Sequence, residues 1–409
     1  MKALSIVLLA LLLGPTALAQ KSNAIETFQV DYQVTLMPAK DQAQVRIQLG
    51  QGADLVHQLD LRYDPKRFTA LSGRGQFAKT YTGAVWKPDG PGASLRYTVK
   101  ISRQRDGNGM DALMTKDWAI FRGDAIVPRI SARLTKGAGA RATLSFTLPA
   151  GWRGLDTGYP RIGGNRFFVH NRHRQFDQPS GWIIAGDVGL RRDQLGLTHI
   201  SVAAPRGSQL DRMDALTLLN FFWPDVESAF GKTPPKILIV SAGNPMWRGG
   251  LSSPNSFFLH ADRPLISENA TSPLVHELTH VITGIHGRDR SDWIAEGIAE
   301  FYSIEILWRA GGMSAKRHDK VYADLAAWSR EIKSLRSDRA SGKITARAVL
   351  LLRDLDAELR KRSKGKLDLD DVVQGLRGRG PVATNDFIQL AERLAGGRLA
   401  SLHTALLAD

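Results

Sequence analysis

The apolar pattern of this chain changes period part-way along, and that change sets what it can fold into. From Asn23 to about Pro205 hydrophobic residues recur at every second position. Phe28, Val30, Tyr32, Val34 and Leu36 alternate with Gln29, Asp31, Gln33 and Thr35, and Val45-Ile47-Leu49, Leu95-Tyr97-Val99-Ile101 and Leu144-Phe146-Leu148 repeat the theme. Such alternation turns one face to a core and the other to water, as in antiparallel sheets. Asp106-Gly107-Asn108-Gly109, Gly137-Ala138-Gly139 and Pro149-Ala150-Gly151 supply turns between the strands. Beyond Pro205 the spacing becomes helical, with Met213, Leu216, Leu219 and Phe222 on one stripe. Pro234-Pro235 introduces a strand at Ile237–Val240, and a turn-rich stretch from Gly243 to Gly250 leads to an extended segment at Ser256–His260. Helices are predicted over roughly 272–283 and 292–310, and the chain is helical and charged from Ser314 onward. The expected fold class is α+β: a β-rich, sandwich-like domain over 20–205, a mixed core over 206–313, and a helical C-terminal part over 314–409.

Composition narrows the chemistry. The 409 residues include no cysteine, which excludes disulfides, thiolate metal sites and cysteine nucleophiles. Met1-Lys2, the apolar run Ala3–Leu13, the Gly14-Pro15 break and the small residues Ala17-Leu18-Ala19 read as a secretory signal peptide over 1–19. The expected location is therefore periplasmic or secreted. No Cys follows the cleavage site to take a lipid, and no later run of about 18 apolar residues predicts a transmembrane segment. Lys and Arg number 55 against 40 Asp and Glu, a formal charge of +15 that falls by one without Lys2. This charge is spread over both halves and accompanies no nucleic-acid motif. It reads as a surface property with weak attraction to anionic envelope surfaces, and a nucleic-acid binder resting on charge alone would show strongly salt-dependent association. The sequence carries no signal for an oligomeric state.

The chemistry concentrates in the middle region. His276-Glu277-Leu278-Thr279-His280 is an HExxH sequence. On a helix the two histidines lie on one face and can bind one Zn²⁺, while the Glu between them reaches a water at the open metal position. Ser272-Pro273 suits a cap and first turn, and Leu274, Val275, Leu278 and Val281 supply buried positions. A third ligand comes from one of two places. His286 lies six residues past His280, but the glycine that would turn the chain back to the metal is displaced from position 283, which is Thr, to Gly284. Glu296 opens a second helix that can cross the first, with Glu300 one turn on to hold a ligand histidine's free N–H. Glu296 is the preferred third ligand.

The stretch Trp293 to Ser303 (WIAEGIAEFYS), continued by Leu307-Trp308-Arg309-Ala310-Gly311, resembles the second zinc helix of the gluzincin metallopeptidases, specifically the glycyl aminopeptidase family. Gly249-Gly250-Leu251 is similar to that family's GGLEH strand. Arg353 to Arg360, then Gly365 to Val372, resemble its C-terminal "LD-x-x-IR … GK-x-SLDD-V" stretch, and Asp386-Phe387 and Ala395-Gly396 continue the likeness. The resemblance runs from about Thr233 to Gly397. It implies a thermolysin-like catalytic fold, one zinc per chain held by His276, His280 and Glu296, and Glu277 as general base acting on a peptide or protein substrate.

Three departures from that pattern matter. GGLEH becomes Gly249-Gly250-Leu251-Ser252-Ser253, so the carboxylate that would pair with a substrate's α-amino group is missing, and with it a charge-assisted bond. Endopeptidase action or relaxed end specificity is then expected over strict aminopeptidase action. The family's tyrosine ahead of "LD-x-x-IR" is replaced within Lys343-Ile344-Thr345-Ala346-Arg347, leaving Tyr302, Tyr322 and Arg347 as candidate transition-state stabilisers. The chain also ends at Asp409 without the PDZ domain relatives usually carry. Gly249, Gly250 and Leu251 are expected to offer a backbone edge to an antiparallel peptide. The rival reading is a weak or inactive family member that only binds peptides.

Other features read as ordinary. Arg360-Lys361-Arg362 with Lys364 and Lys366 complements a helix C-terminus, His170-Asn171-Arg172-His173-Arg174 is a solvated loop, and Trp152, Trp182, Trp223, Trp247 and Trp293 are core or groove wall.

Overall fold

The computed structural model describes residues 26–105, 107, 109–171 and 176–408. The signal-peptide reading of 1–19 lies outside these residues, as do Arg172, His173 and Arg174 of the basic loop. The fold is α+β, with β sheets filling the N-terminal half and helices the C-terminal half.

The period-two segments form strands with one buried face. Over Thr27–Met37 the residues Phe28, Val30, Tyr32, Val34 and Leu36 are buried while their neighbours are exposed or intermediate. This strand lies centrally in a seven-stranded sheet, antiparallel to Gln42–Leu49 and parallel to Gly139–Thr147. Five- and four-stranded sheets complete the N-terminal part, and all three contribute to one apolar core.

A fourth sheet carries the helical half. Its order is Val188–Leu195, Thr198–Pro205, Lys236–Ala242, Ser256–His260, Gly250–Ser253. The three middle strands are parallel and the two outer pairs antiparallel. Parallel neighbours need a crossover, and the helix Arg212–Phe230 supplies it between Thr198–Pro205 and Lys236–Ala242. That helix runs eight residues past Phe222, through Pro224, because Val226, Ala229 and Phe230 continue its buried stripe. The hairpin over 188–205, which the alternation groups with the N-terminal strands, is thus built into the sheet of the C-terminal half. A small core of Ile120, Trp182, Ile184, Val240, Met246 and Phe258 joins the two halves.

A buried ion pair crosses the same junction. Asp156 accepts from Lys236 Nζ at 2.5 Å, Ser201 Oγ at 2.8 Å and Arg192 Nη2 at 3.1 Å. Burial penalises its charge, but these partners hold the carboxyl below the usual carboxylate range.

The remaining helices are Pro273–Thr283, Trp293–Arg309, Ala315–Ser329, Lys343–Ser363, Leu369–Leu376 and Thr384–Ala395. They share one large core with the fourth sheet. No helix among the described residues is long and apolar enough to cross a membrane.

Candidate metal centre

The HExxH residues sit on a short, firmly bounded helix. Ser272 caps it by accepting from the Val275 N–H at 3.3 Å, Pro273 fills the first turn, and Gly284 ends it in the left-handed region at φ 61°. Leu274, Val275, Leu278 and Ile282 anchor it in the core, leaving His276 and His280 to face the next helix, Trp293–Arg309. That helix is tied down by Asp292, which accepts from the Ala340 N–H at 2.8 Å, and by the Trp293 indole, which donates to Thr384 at 3.0 Å.

His276, His280 and Glu296 meet where the two helices cross, with their donor atoms within 4.8 Å of one another. The two Nε2 atoms are 3.2 Å apart, and the Glu296 oxygens lie 3.5 Å from His276 Nε2 and 3.6 Å from His280 Nε2. Donors about 2.0–2.1 Å from a tetrahedral zinc stand roughly 3.3–3.4 Å from one another, so this triangle has the size and donor set a zinc ion needs. Glu300, one turn along, accepts from His276 Nδ1 at 2.9 Å, which turns Nε2 toward the triangle. His286 is exposed and is not part of the group.

The electrostatics are strongly coupled. Desolvation opposes the charge on His276, but hydrogen bonds to Glu296 and Glu300 outweigh it and lift the imidazole to about 10. Desolvation and the His276 charge push His280 down to about 4. Glu296 stays below its usual range because both histidines overcome its desolvation. Burial raises Glu277 to about 7 against the attraction of His276, which suits a group that both takes and returns a proton near neutrality.

Gly249, Gly250 and Leu251 are not in the lining of the cleft beside His276, and the strand Gly250–Ser253 runs against the HExxH helix at Glu277. It is the outer strand of its sheet, paired on one side only among the described residues. The His260 N–H donates to the Gly249 carbonyl at 3.0 Å, and antiparallel alternation then directs the backbone groups of Gly250 and Ser252 to the open edge. The two glycines are required by contact, for different reasons. A Cβ at Gly249 would lie 2.0 Å from the Trp247 ring, over which the Arg105 guanidinium stacks at 4.2 Å. A Cβ at Gly250 would lie 2.3 Å from Glu277 Oε1. Leu251 follows them, paired with Phe258, its carbonyl accepting from the Trp182 indole at 2.9 Å.

A cleft of about 460 Å³ opens beside His276, Glu296 and Glu300, with Val321, Leu325 and Trp328 along its far side. Tyr302, Tyr322 and Arg347 are not in its lining among the described residues. Tyr302 is fully buried and donates to Asp370 at 2.7 Å, and Tyr322 donates to Glu305 at 2.7 Å. The cleft wall at 321–328 escaped sequence reading because a charged amphipathic helix gives no sign of which cavity its apolar stripe borders. Trp328, half exposed on that helix, is the one residue that could have suggested it.

Fold and site together form a β-rich part leading into a sheet-and-helix unit, in which two crossing helices carry the His276, His280 and Glu296 group. Among solved structures the chain is similar to a protein of the aminopeptidase N family from Idiomarina loihiensis, at TM-score 0.66 and 16% identity over 88% of this chain and 72% of that one. It is also similar to an M1 zinc metallopeptidase from Deinococcus radiodurans, at 0.57 and 15% over 94% of each chain. A third likeness is to yeast LTA4 hydrolase in complex with bestatin, at 0.55 and 15% over 90% of this chain and 65% of that one. At this level of identity the likeness establishes the fold. No family model and no curated protein matches the sequence.

Proposed function

We propose that this chain is an exported zinc metallopeptidase that hydrolyses peptide bonds, with endopeptidase or relaxed end specificity. The observation that carries the reading is the donor triangle of His276, His280 and Glu296, sized for one zinc, with Glu277 on the same helix and Glu300 behind His276. A zinc ion bound there supplies a polarised water and a Lewis acid for the scissile carbonyl. Glu277 takes the proton of the attacking water and passes it to the leaving amine. Gly250 offers its edge N–H and C=O, and Ser252 its C=O, to an antiparallel peptide, holding its backbone in register. Neither Ser252 nor Ser253 brings a carboxylate to capture a free α-amino group, which favours internal bonds over strict aminopeptidase action. Export rests on the features of Met1–Ala19.

One observation favours the second reading, a peptide-binding relative with little turnover: the hydroxyls of Tyr302 and Tyr322 are both committed to buried carboxylates. A single variant separates the two. Glu277→Gln should keep about one zinc per chain, by metal analysis, and lose cleavage of a mixed peptide library by roughly 10²–10⁴-fold. Equal cleavage by variant and wild type, or none by either, overturns the peptidase reading.

A further inference from the structure

We propose that Gly250 is a positioning residue for Glu277, an inference that rests on the peptidase reading above. The strand and the HExxH helix approach so closely here that a Cβ at Gly250 would stand 2.3 Å from Glu277 Oε1 and 2.7 Å from both its Cδ and Cγ. Such separations do not occur between real atoms, so any side chain at position 250 forces the Glu277 side chain to move. The requirement for glycine is steric, because Gly250 is not among the glycines with positive φ. The Ser252 N–H, on the same strand, faces the Glu277 carboxylate and favours its charged form. The strand thus does two things: it presents the edge groups of Gly250 to peptide, and its bare Cα at 250 fixes where the proton-transferring carboxylate can stand.

The atoms that clash decide what a substitution does. Glu277 meets Gly250 with the outer part of a flexible side chain, so the helix and strand need not separate and the fold is retained. The cost falls on the carboxylate's position, and a displacement of about 1 Å in a reacting group lowers a rate on the order of 10²-fold. Gly249 differs: its neighbour is the rigid Trp247 ring, which does not act on the proton.

The test is a double-mutant cycle on the zinc-loaded enzyme. Gly250→Ala should keep zinc stoichiometry, lower kcat roughly 100-fold and leave KM within about threefold. Glu277→Asp withdraws the carboxylate by one methylene, which removes the contacts at Cδ and Oε1 and leaves only the one at Cγ. In that background Gly250→Ala should cost about tenfold or less, well below its effect in wild type, whereas Gly249→Ala should cost the same in both backgrounds. Calorimetric binding of a substrate peptide to zinc-loaded Glu277→Gln should be unchanged by adding Gly250→Ala. Multiplicative effects of positions 250 and 277, or weakened peptide binding in the Gln background, overturn the proposal and make Gly250 a substrate contact alone. Should Gly250→Ala fail to fold, recovery of the melting transition by adding Glu277→Ala supports the clash, and continued failure refutes it. A fully active Glu277→Gln enzyme would remove the peptidase reading itself, a result distinct from any of these.

Discussion

Removing the Glu300 carboxylate should weaken zinc binding while leaving all three ligands in place. Glu300 accepts from His276 Nδ1 at 2.9 Å, and the two side chains are 22% and 18% exposed. The bond is charge-assisted and partly shielded from water, so it does more than a surface contact would. It fixes which nitrogen carries the proton, turns Nε2 toward His280 and Glu296, and raises the basicity of that nitrogen. Partners of this kind typically contribute 10–100-fold in metal affinity, or about 1.4–2.7 kcal/mol. Glu300→Ala should lose that whole range. Glu300→Gln should lose less, since an amide oxygen still accepts from Nδ1 but without the charge. The assay is a zinc titration against a chromogenic chelator near neutral pH, with circular dichroism to verify the fold. Saturating zinc should also raise the melting temperature of the variant less than that of wild type, by linkage. Zinc affinity of Glu300→Ala within twofold of wild type, in a folded protein, would refute the idea that Glu300 organises the site.

Two further predictions concern groups away from the metal. Asp156→Ala strands Lys236 in the junction between the halves and should cost about 3–5 kcal/mol near pH 7. Because the folded Asp156 titrates below its unfolded value of about 3.9, its contribution is complete above that value and fades as pH falls through the lower folded pKa. Urea melts should show the gap between variant and wild type narrowing at about pH 3, and an equal gap at both pH values would contradict this. Tyr302→Phe removes a buried hydroxyl from Asp370, which Arg309 also grips through Nη1 at 2.6 Å and Nη2 at 3.0 Å. It should cost about 1–3 kcal/mol of stability and leave kcat within a few-fold of wild type. A hundredfold fall in kcat at unchanged stability would instead make Tyr302 the transition-state group.

What the sequence exposes is local, and what it hides is pairing across distance. His276, Glu277 and His280 are fixed relative to one another by helical geometry alone, so their spacing announces the site. Glu296 and Glu300 are readable because they too share one helix face, and only the crossing of the two helices had to be supplied by the fold. The alternation at Phe28–Leu36 declares a strand and its buried face, yet it cannot show that Thr27–Met37 pairs in parallel with Gly139–Thr147, more than a hundred positions away. Periodicity also cannot assign a hairpin to a sheet. Val188–Pro205 alternates like the strands before it but pairs with Lys236–Ala242 after it. Asp156 and Lys236 each look like ordinary surface charges in sequence, because their burial comes from the docking of the two halves.

The glycine pair shows how a motif's meaning changes once its neighbours are known. In sequence, Gly249-Gly250 is equally a turn and a strand edge bared for a peptide. In the structure neither glycine has a positive φ, so backbone freedom is not the reason for either. Each is glycine because of one neighbour: Trp247 at the first and Glu277 at the second. This has a consequence for the cysteine-free design. No disulfide or thiolate stiffens the centre, so rigidity must come from packing on every side. Behind the HExxH helix lies the apolar core, across from it the Glu296–Glu300 helix, and in front the outer strand, pressed so close that a single methyl group would displace the Glu277 carboxylate. The strand that would receive the peptide and the helix that would act on it are therefore one mechanical unit. Substitutions along that edge should reach the chemistry through Glu277 before they reach it through the substrate.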